Sequence, residues 1–219
     1  MSDVELARIP SGELPVAGAG RGPRVASFEI GVYPVTEEQV GEVLGVTASH
    51  PRRPAVAVSW LRAVRFCNAL SEWEGLDSAY AVDGDEVRWY DDSDGFRLPT
   101  ELEWEYACRA GSGASYYGPL AEIAWTASDG VSSPQPVGGR HPNLFGLFDT
   151  LGNVSEWCWD LFAPATGSRD RVFRGGGFAD APASVRAGTR RGAPPSSTHD
   201  DIGLRVARGP VAGSGLAPA

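Results

Sequence analysis

The sequence contains no lysine: all 19 of its basic residues are arginine, against 28 aspartates and glutamates. Enzymes that use a lysine Schiff base, a P-loop lysine or a lysine general base are therefore excluded. The formal net charge of -9 argues against a nucleic-acid partner, because a phosphate backbone is repelled by an acidic surface.

Cysteines and long apolar runs are also scarce. Cys67, Cys108 and Cys158 are the only cysteines, and their wide spacing does not encode a secreted disulfide framework. No run approaches the roughly 18 apolar residues of a membrane helix, and the N-terminus lacks the basic and apolar regions of a signal peptide. We therefore expect a cytoplasmic protein with no membrane partner.

The 219 residues suit one domain, and the 28 glycines and 17 prolines predict a loop-rich fold. Capping-box patterns predict helices that begin after Thr36 and after Thr100. Apolar residues at three- and four-residue steps predict another helix from Ser59 to near Gly75. A hairpin is expected around Gly84, and short strands are expected near the N-terminus.

Ordered motifs along the chain carry a family resemblance. Residues 96–107 read FRLPTELEWEYA, and residues 143–157 contain the segments NLFGLFD and LGNVSEW. Residues 174–178 read RGGGF, and residues 202–208 read IGLRVAR. In this order, the motifs resemble those of the formylglycine-generating enzyme family, also called sulfatase-modifying factors, over residues 4–208.

The resemblance implies an α+β fold of the formylglycine-generating-enzyme type, which is a variant of the C-type-lectin-like fold. That fold places two or three helices and long loops beside a twisted antiparallel sheet. It would occupy residues 1–208, and residues 209–219 are expected to form a disordered tail because they lack a large apolar anchor. The family's founding activity is the copper-dependent oxidation of a sulfatase cysteine to formylglycine. Two cysteines of the family carry it, and they lie between the segments that match residues 174–178 and residues 202–208 of this chain.

The matching window of this chain, residues 178–195, contains no cysteine. Because Cu(I) prefers soft thiolate ligands, the family's copper site cannot form at its usual place. Gly177 also stands where the family motif has a serine. Cys67, Cys108 and Cys158 lie among apolar or aromatic residues, so we expect them in the core. We therefore expect no copper and assign no catalytic residue.

One loop of the family holds a calcium ion, and residues 153–156 match that loop. The resemblance implies a structural calcium bound by the side chains of Asn153 and Glu156 and by the carbonyl of Val154, all oxygen ligands of the kind that calcium takes. The alternative is that these side chains hydrogen-bond to the loop backbone without a metal. An iron site would need His50, His141 and His199 to converge, and we expect solvated turns instead.

Arginines are concentrated near the C-terminus of this acidic chain. They either pair with carboxylates inside the protein or line an anion or peptide-carboxylate site. For the second role we predict a ligand groove formed by Arg174, Phe178, Asp180, Arg186, Arg190, Arg191 and His199.

Two functions remain open at this point. The first is a non-oxidase module that binds a protein or peptide, one form of which has a variable groove like the variable proteins of diversity-generating retroelements. The alternative is a formylglycine-generating oxidase or a divergent relative of it. The sequence gives no oligomeric state.

Overall fold

The helices and strands of this protein are short. The computed structural model describes residues 4–15 and 22–209. The N-terminal strands are β1 (Leu6–Ile9), β2 (Gly12–Glu13), β3 (Arg24–Val25) and β4 (Phe28–Gly31). Helices α1 (Glu37–Leu44) and α2 (Trp60–Trp73) follow, then strands β5 (Tyr80–Asp83) and β6 (Glu86–Trp89). Next come helices α3 (Glu101–Arg109) and α4 (Leu120–Ile123). The last strands are β7 (Ser155–Leu161), β8 (Arg171–Arg174), β9 (Arg190–Ala193), β10 (Ile202–Leu204) and β11 (Ala207–Arg208).

The starts of the three longer helices agree with the sequence patterns. The Thr36 hydroxyl accepts from the Gln39 amide at 3.3 Å, and the Gln39 side chain accepts from the Thr36 amide at 3.0 Å. Thr100 and Glu103 make the same reciprocal pair at the start of α3, and the Ser59 side chain caps α2. These bonds satisfy amides that a helix otherwise leaves without partners, which is why the boundaries could be predicted.

The predicted α+β fold is confirmed, with helices beside short and mostly antiparallel strands. The described strands form a β1-β4-β11 sheet, a β10-β7-β8-β9 sheet, and the separate pairs β2-β3 and β5-β6. Strand β10 runs parallel to β7, and Ile202 lies opposite Ser155. The sequence patterns did not predict this parallel pair, because β8 and β9 separate its two strands along the chain.

Three apolar clusters form the core. The first joins α2 to β5, β7 and β10, the second joins α3 to β7 and β8, and the third joins α3 to the N-terminal sheet. Helix α3 contributes Trp104 to the second cluster and Tyr106 to the third. This helix therefore holds the N-terminal sheet against the sheet that carries the C-terminal motifs.

The predicted tail lies almost entirely outside the described residues, which end at Gly209. None of the described helices combines the length and the apolar character needed to span a membrane. The cellular location stays a prediction.

Gly152 shows why the family motifs require glycine at particular points. Its φ is +71°, and its amide donates to the Gly175 carbonyl at 3.2 Å. A Cβ added at this position would lie 2.3 Å from the Trp125 carbonyl oxygen. Three loops therefore meet at a point where no side chain fits.

Replacing this glycine tests the close approach. Gly152→Ala should lower the free energy of unfolding by at least about 3 kcal/mol, since it combines left-handed strain with a backbone clash. Gly146 is the matched control, with a φ of +80° and nothing within 4 Å of an added Cβ. Gly146→Ala should cost only about 1–2 kcal/mol. Urea unfolding followed by tryptophan fluorescence measures both, and equal losses would contradict the argument.

Candidate functional site

The cysteine-free window, residues 178–195, is hydrogen-bonded to loops from other parts of the chain. After β8 the chain passes through residues 175–177 into a turn in which the Asp180 amide donates to the Gly177 carbonyl at 3.0 Å, and the Phe178 amide donates to the Asn153 carbonyl at 2.8 Å. The Asp180 carbonyl accepts from the Ala127 amide at 2.9 Å. Strand β9 then returns antiparallel to β8. The window is therefore a loop held by backbone bonds on both sides.

The structure divides the predicted arginine groove into two clusters. Arg190 lies opposite Arg174 in the β8–β9 pair, and Arg191 lies opposite Phe173. Because successive side chains of a strand point to opposite faces, Arg190 and Arg191 lie on different sides of the sheet. Arg174, Arg190 and Arg191 therefore do not line one surface, and the single groove is corrected to two sites.

The first cluster is an ion-pair network at the start of α3. Arg174 is 2% exposed and pairs with Glu101 and with Glu105, the latter at 2.7 Å. Arg190 is exposed and donates to both carboxylate oxygens of Glu101, at 2.7 and 2.8 Å. Although burial alone would raise the pKa of Glu101, the hydrogen bonds and charges of Arg190 and Arg174 lower it. Both arginines thus pair with carboxylates of the same chain. This was one of the two roles that the sequence analysis left open for them.

The second cluster lies beside the turn that replaces the family's serine. Arg191 donates two hydrogen bonds to Asp180, at 2.9 and 2.7 Å, and Asp180 also accepts from the Gly177 amide at 2.9 Å. A Cβ on Gly177 would lie 3.1 Å from the Cβ of Asp201 and 3.3 Å from its carboxylate. A serine at this position would therefore require Asp201 to shift by a few tenths of an ångström. Burial, together with the charges of Asp180 and Asp200, raises the pKa of Asp201.

The remaining predicted groove residues differ in exposure. Phe178 is 7% exposed and belongs to the interior, whereas Arg186 and His199 are exposed. The His199 carbonyl accepts from the Ala57 amide at 2.9 Å, which ties this turn to the segment before α2. Asp180, Arg186, Arg190, Arg191 and His199 are thus accessible to a ligand, and Arg174 and Phe178 support the loop from inside.

All three cysteine side chains are enclosed. Cys67, Cys108 and Cys158 have 0% exposure and form no disulfide. Burial raises the pKa of Cys108 to about 12, and it raises the pKa of Cys67 and Cys158 well above the ordinary thiol value. Since Cu(I) is bound by thiolates, these protonated and enclosed thiols do not fit a copper site.

The predicted calcium ligands have other partners. The Asn153 side-chain oxygen accepts from the Gln135 amide at 2.9 Å. Glu156 is 0% exposed; one of its carboxylate oxygens accepts from Trp104 at 2.6 Å, and Arg205 donates to both at 2.7–3.1 Å. Val154 is buried between them. A calcium ion would have to displace Arg205 from Glu156, so the residues in this arrangement do not fit a calcium site.

Arg205 is the residue whose role the sequence reasoning missed. It is 0% exposed, and besides Glu156 it donates to the carbonyls of Gly31, Val32 and Phe148 at 2.7–2.9 Å. The arginine in the C-terminal IGLRVAR motif was the available signal. Its partner lies 49 residues earlier in the chain, and spacing does not reveal such a pair.

The histidines are not brought together. His50 lies 3.9 Å from Glu37, and His141 lies 3.8 Å from Glu122. Within residues 4–15 and 22–209, no group of three or more histidines, cysteines, aspartates or glutamates is arranged to hold a metal ion.

Comparison with known proteins agrees with the fold and the motifs. Residues 5–210 match the model of the sulfatase-modifying factor enzyme 1-like domain. The chain belongs to this formylglycine-generating enzyme family. Membership of the family thus follows from the match over residues 5–210 and does not depend on the presence of a catalytic site.

Characterised relatives include proteins with different activities. The chain is 30% identical to the chaperone protein LppX of Paenibacillus barcinonensis, over 84% of this chain and 81% of LppX. It is 34% identical to the formylglycine-generating enzyme of Streptomyces coelicolor, over 72% of this chain and 53% of the enzyme. It is also 34% identical to the mouse inactive C-alpha-formylglycine-generating enzyme 2, over 70% of this chain and 48% of that protein. The chain thus spans most of LppX and about half of the other two.

Solved structures show the same fold. Treponema denticola variable protein 1 superposes with a TM-score of 0.81 and 27% identity, and covers 93% of this chain and 94% of its own. CarF superposes with a TM-score of 0.83 and 26% identity, and covers 94% of this chain and 98% of its own. The described elements therefore share the fold of these two solved structures.

The Glu156–Arg205 pair can be tested by neutralising one partner. Glu156→Gln should lower the free energy of unfolding by about 3–5 kcal/mol, because it leaves a buried guanidinium without its counter-charge. The matched control is Glu86→Gln, which breaks the exposed pair with Arg169 and should produce no measurable change. Chemical unfolding measures both variants, and a neutral Glu156→Gln would show that the pair is dispensable.

Calcium can be tested directly by thermal unfolding. Adding excess calcium or a chelator should leave the melting temperature unchanged, since the oxygens of Asn153 and Glu156 already accept hydrogen bonds. A ligand that binds only the folded state raises its melting temperature, so a rise with calcium but not with magnesium would establish the site implied by the resemblance.

Proposed function

We propose that this chain is a module that binds a protein or peptide through the region of the C-terminal window, and that it does not act as a formylglycine-generating oxidase. The enclosure of all three thiols carries the second part of this proposal, since Cys67, Cys108 and Cys158 have 0% exposure and pKa values raised by burial. In the window itself, Asp180 and Arg191 form an ion pair that offers no soft copper ligand.

The alternation of exposed and buried positions in the window suits a binding surface. Phe178, Val185 and Ala187 are buried and anchor the loop. Exposed residues lie between and after them, namely Ala179, Ala181, Ala183, Arg186, Gly188 and Arg190. These exposed positions can differ in chemistry without disturbing the core, so they are the positions where a variable groove would vary. Conserved scaffolds with function on their loops commonly work in this way.

The accessible charges indicate what the surface would recognise. Arg186 is exposed and no acidic partner pairs with it within the described residues. In the second cluster, near Asp180, Asp200 is exposed and Asp201 is half-buried without an ion pair in the described part of the chain. A partner that carries both signs of charge would complement these separate charged regions, as a polypeptide can.

Three similar proteins have names that bear on this proposal. LppX is a chaperone by name, and the mouse relative is an inactive member of the family by name. The Treponema structure is a variable protein by name. Each of these is consistent with the scaffold serving a role other than oxidation.

The alternative is an oxidase, and the 34% identity to the Streptomyces enzyme is the observation that favours it. This alternative requires at least one of the three thiols to become exposed and ionised. Cys108 and Cys158 lie in the same apolar cluster, whereas Cys67 lies in another. Exposure of both Cys108 and Cys158 would therefore require separation of α3 from the β10-β7-β8-β9 sheet, which is the central sheet of the fold.

The deciding experiment is mass spectrometry of a Cys-x-Pro-x-Arg peptide incubated with the purified protein, Cu(I), oxygen and a reductant. We expect no aldehyde product, because no thiolate is available to hold the metal. An authentic formylglycine-generating enzyme under the same conditions is the positive control, and circular dichroism verifies that the tested protein is folded.

Catalytic aldehyde formation would overturn the proposal. In that case Cys108→Ser and Cys158→Ser, each compared with Cys67→Ser from the other cluster, would show which thiols hold the copper. The assay therefore separates the binding module from the oxidase without knowledge of the natural ligand.

A further inference from the structure

A cleft of about 230 Å³ lies outside the window described above. Its walls are α1, the start of α2, and two loop segments, residues 46–48 and residues 55–58. Its size exceeds the roughly 150 Å³ cavity that accommodates a benzene molecule in an engineered protein. It can therefore take one large apolar side chain.

The lining of the cleft is mainly apolar. Phe66 from α2 and Leu204 from β10 are buried, at 2% and 0% exposure. Leu44 and Val46 also line it, yet they are 48% and 56% exposed. Large apolar side chains that remain exposed around a depression are typical of a binding surface.

One residue of the lining, Val56, has main-chain groups that make no hydrogen bond within residues 4–15 and 22–209. The amides of Ala55 and Ala57 donate to the carbonyls of Val35 and His199, at 2.8 and 2.9 Å. Val56 lies between them, and neither its amide nor its carbonyl makes a hydrogen bond to any described residue. An extended peptide can bind by hydrogen bonds to exposed main-chain groups of a protein while one of its side chains enters an adjacent apolar pocket.

The charge at the rim specifies the chemistry of the occupant further. Glu37 is already engaged, because its carboxylate accepts from the amides of Ser49 and His50 at 3.0 and 2.8 Å. Arg62 is exposed, and its guanidinium has no acidic partner within residues 4–15 and 22–209. Glu37 and Arg62 therefore carry opposite charges at the rim, and the guanidinium of Arg62 is the one that remains available to pair with a partner.

We propose that this cleft binds an extended segment of a partner protein. One large apolar side chain of the segment enters the cleft, a neighbouring acidic residue pairs with Arg62, and the segment's main chain bonds to Val56. The proposal goes beyond the binding role of the window, because it uses different residues. A free apolar small molecule would fill the cleft without using the main chain of Val56 or the charge of Arg62, so these two groups favour a peptide.

The test is selection of random linear peptides, displayed on phage, against the full chain. Ala48→Trp fills the cleft from a loop wall, and Arg62→Glu reverses the charge at the rim. The matched control is Arg65→Glu, an exposed arginine of the same helix that donates to the Gly84 carbonyl and does not line the cleft. Unchanged thermal unfolding of each variant verifies the fold.

We expect the enriched peptides to share a large apolar residue next to an aspartate or glutamate. Measured as synthetic peptides by fluorescence anisotropy, their affinity should fall at least roughly tenfold with Ala48→Trp, as for a central apolar anchor. It should fall roughly three- to tenfold with Arg62→Glu, and it should stay within about twofold with Arg65→Glu. N-methylation of one peptide amide next to the apolar residue should also weaken binding.

Peptides that bind Ala48→Trp as tightly as the unmodified chain would overturn the proposal, as would enrichment of no peptide. If N-methylation at every position leaves the affinity of the peptides unchanged, the pairing with Val56 is wrong and the cleft binds only the apolar side chain. These outcomes are independent of the oxidase assay, which does not involve this cleft.

Discussion

Glu156 on β7 and Arg205 after β10 form a buried ion pair on which the arrangement of the other elements depends. Arg205 also donates to carbonyls of Gly31 and Phe148, and Trp104 of α3 donates to Glu156. The pair therefore contacts the N-terminal sheet, the central sheet, α3 and the motif loops. Either charge alone in this interior would be strongly unfavourable, so the pair stabilises only the arrangement in which all these parts meet. Removal of either partner would leave the other charge buried and uncompensated, so the pair favours the packing in which these parts meet.

Local elements of the fold could be predicted from the sequence, because the signals are local as well. Thr36 and Thr100 cap helices through bonds that span three residues, and Gly84 forms its turn within the β5–β6 hairpin. The parallel pairing of β10 with β7 could not be predicted, since it depends on the packing of elements that lie far apart in sequence. The family resemblance supplied this longer-range information only as a general fold.

The candidate site shows the same division. Its location in the cysteine-free window was accessible from the sequence, whereas the assignment of side chains was not. Arg190 and Arg191 are adjacent in a strand, so their side chains point to opposite faces of the sheet. Arg190 therefore pairs with Glu101 and Arg191 with Asp180, although the sequence analysis had grouped them in one groove. The resemblance implied calcium at Glu156, and the sequence did not reveal that its partner is Arg205, which is 49 residues away. Charge clusters in a sequence thus indicate where ion pairs form, but only the fold assigns the partners.

The enclosed thiols have a practical consequence. Because Cys67, Cys108 and Cys158 are buried and protonated, thiol reagents have no accessible native target in the folded protein. A single cysteine introduced at the exposed position of Ala183 would then be the one reactive thiol under native conditions. A fluorophore or spin label attached there would report movement of the window when a partner binds, and the native cysteines could remain in place.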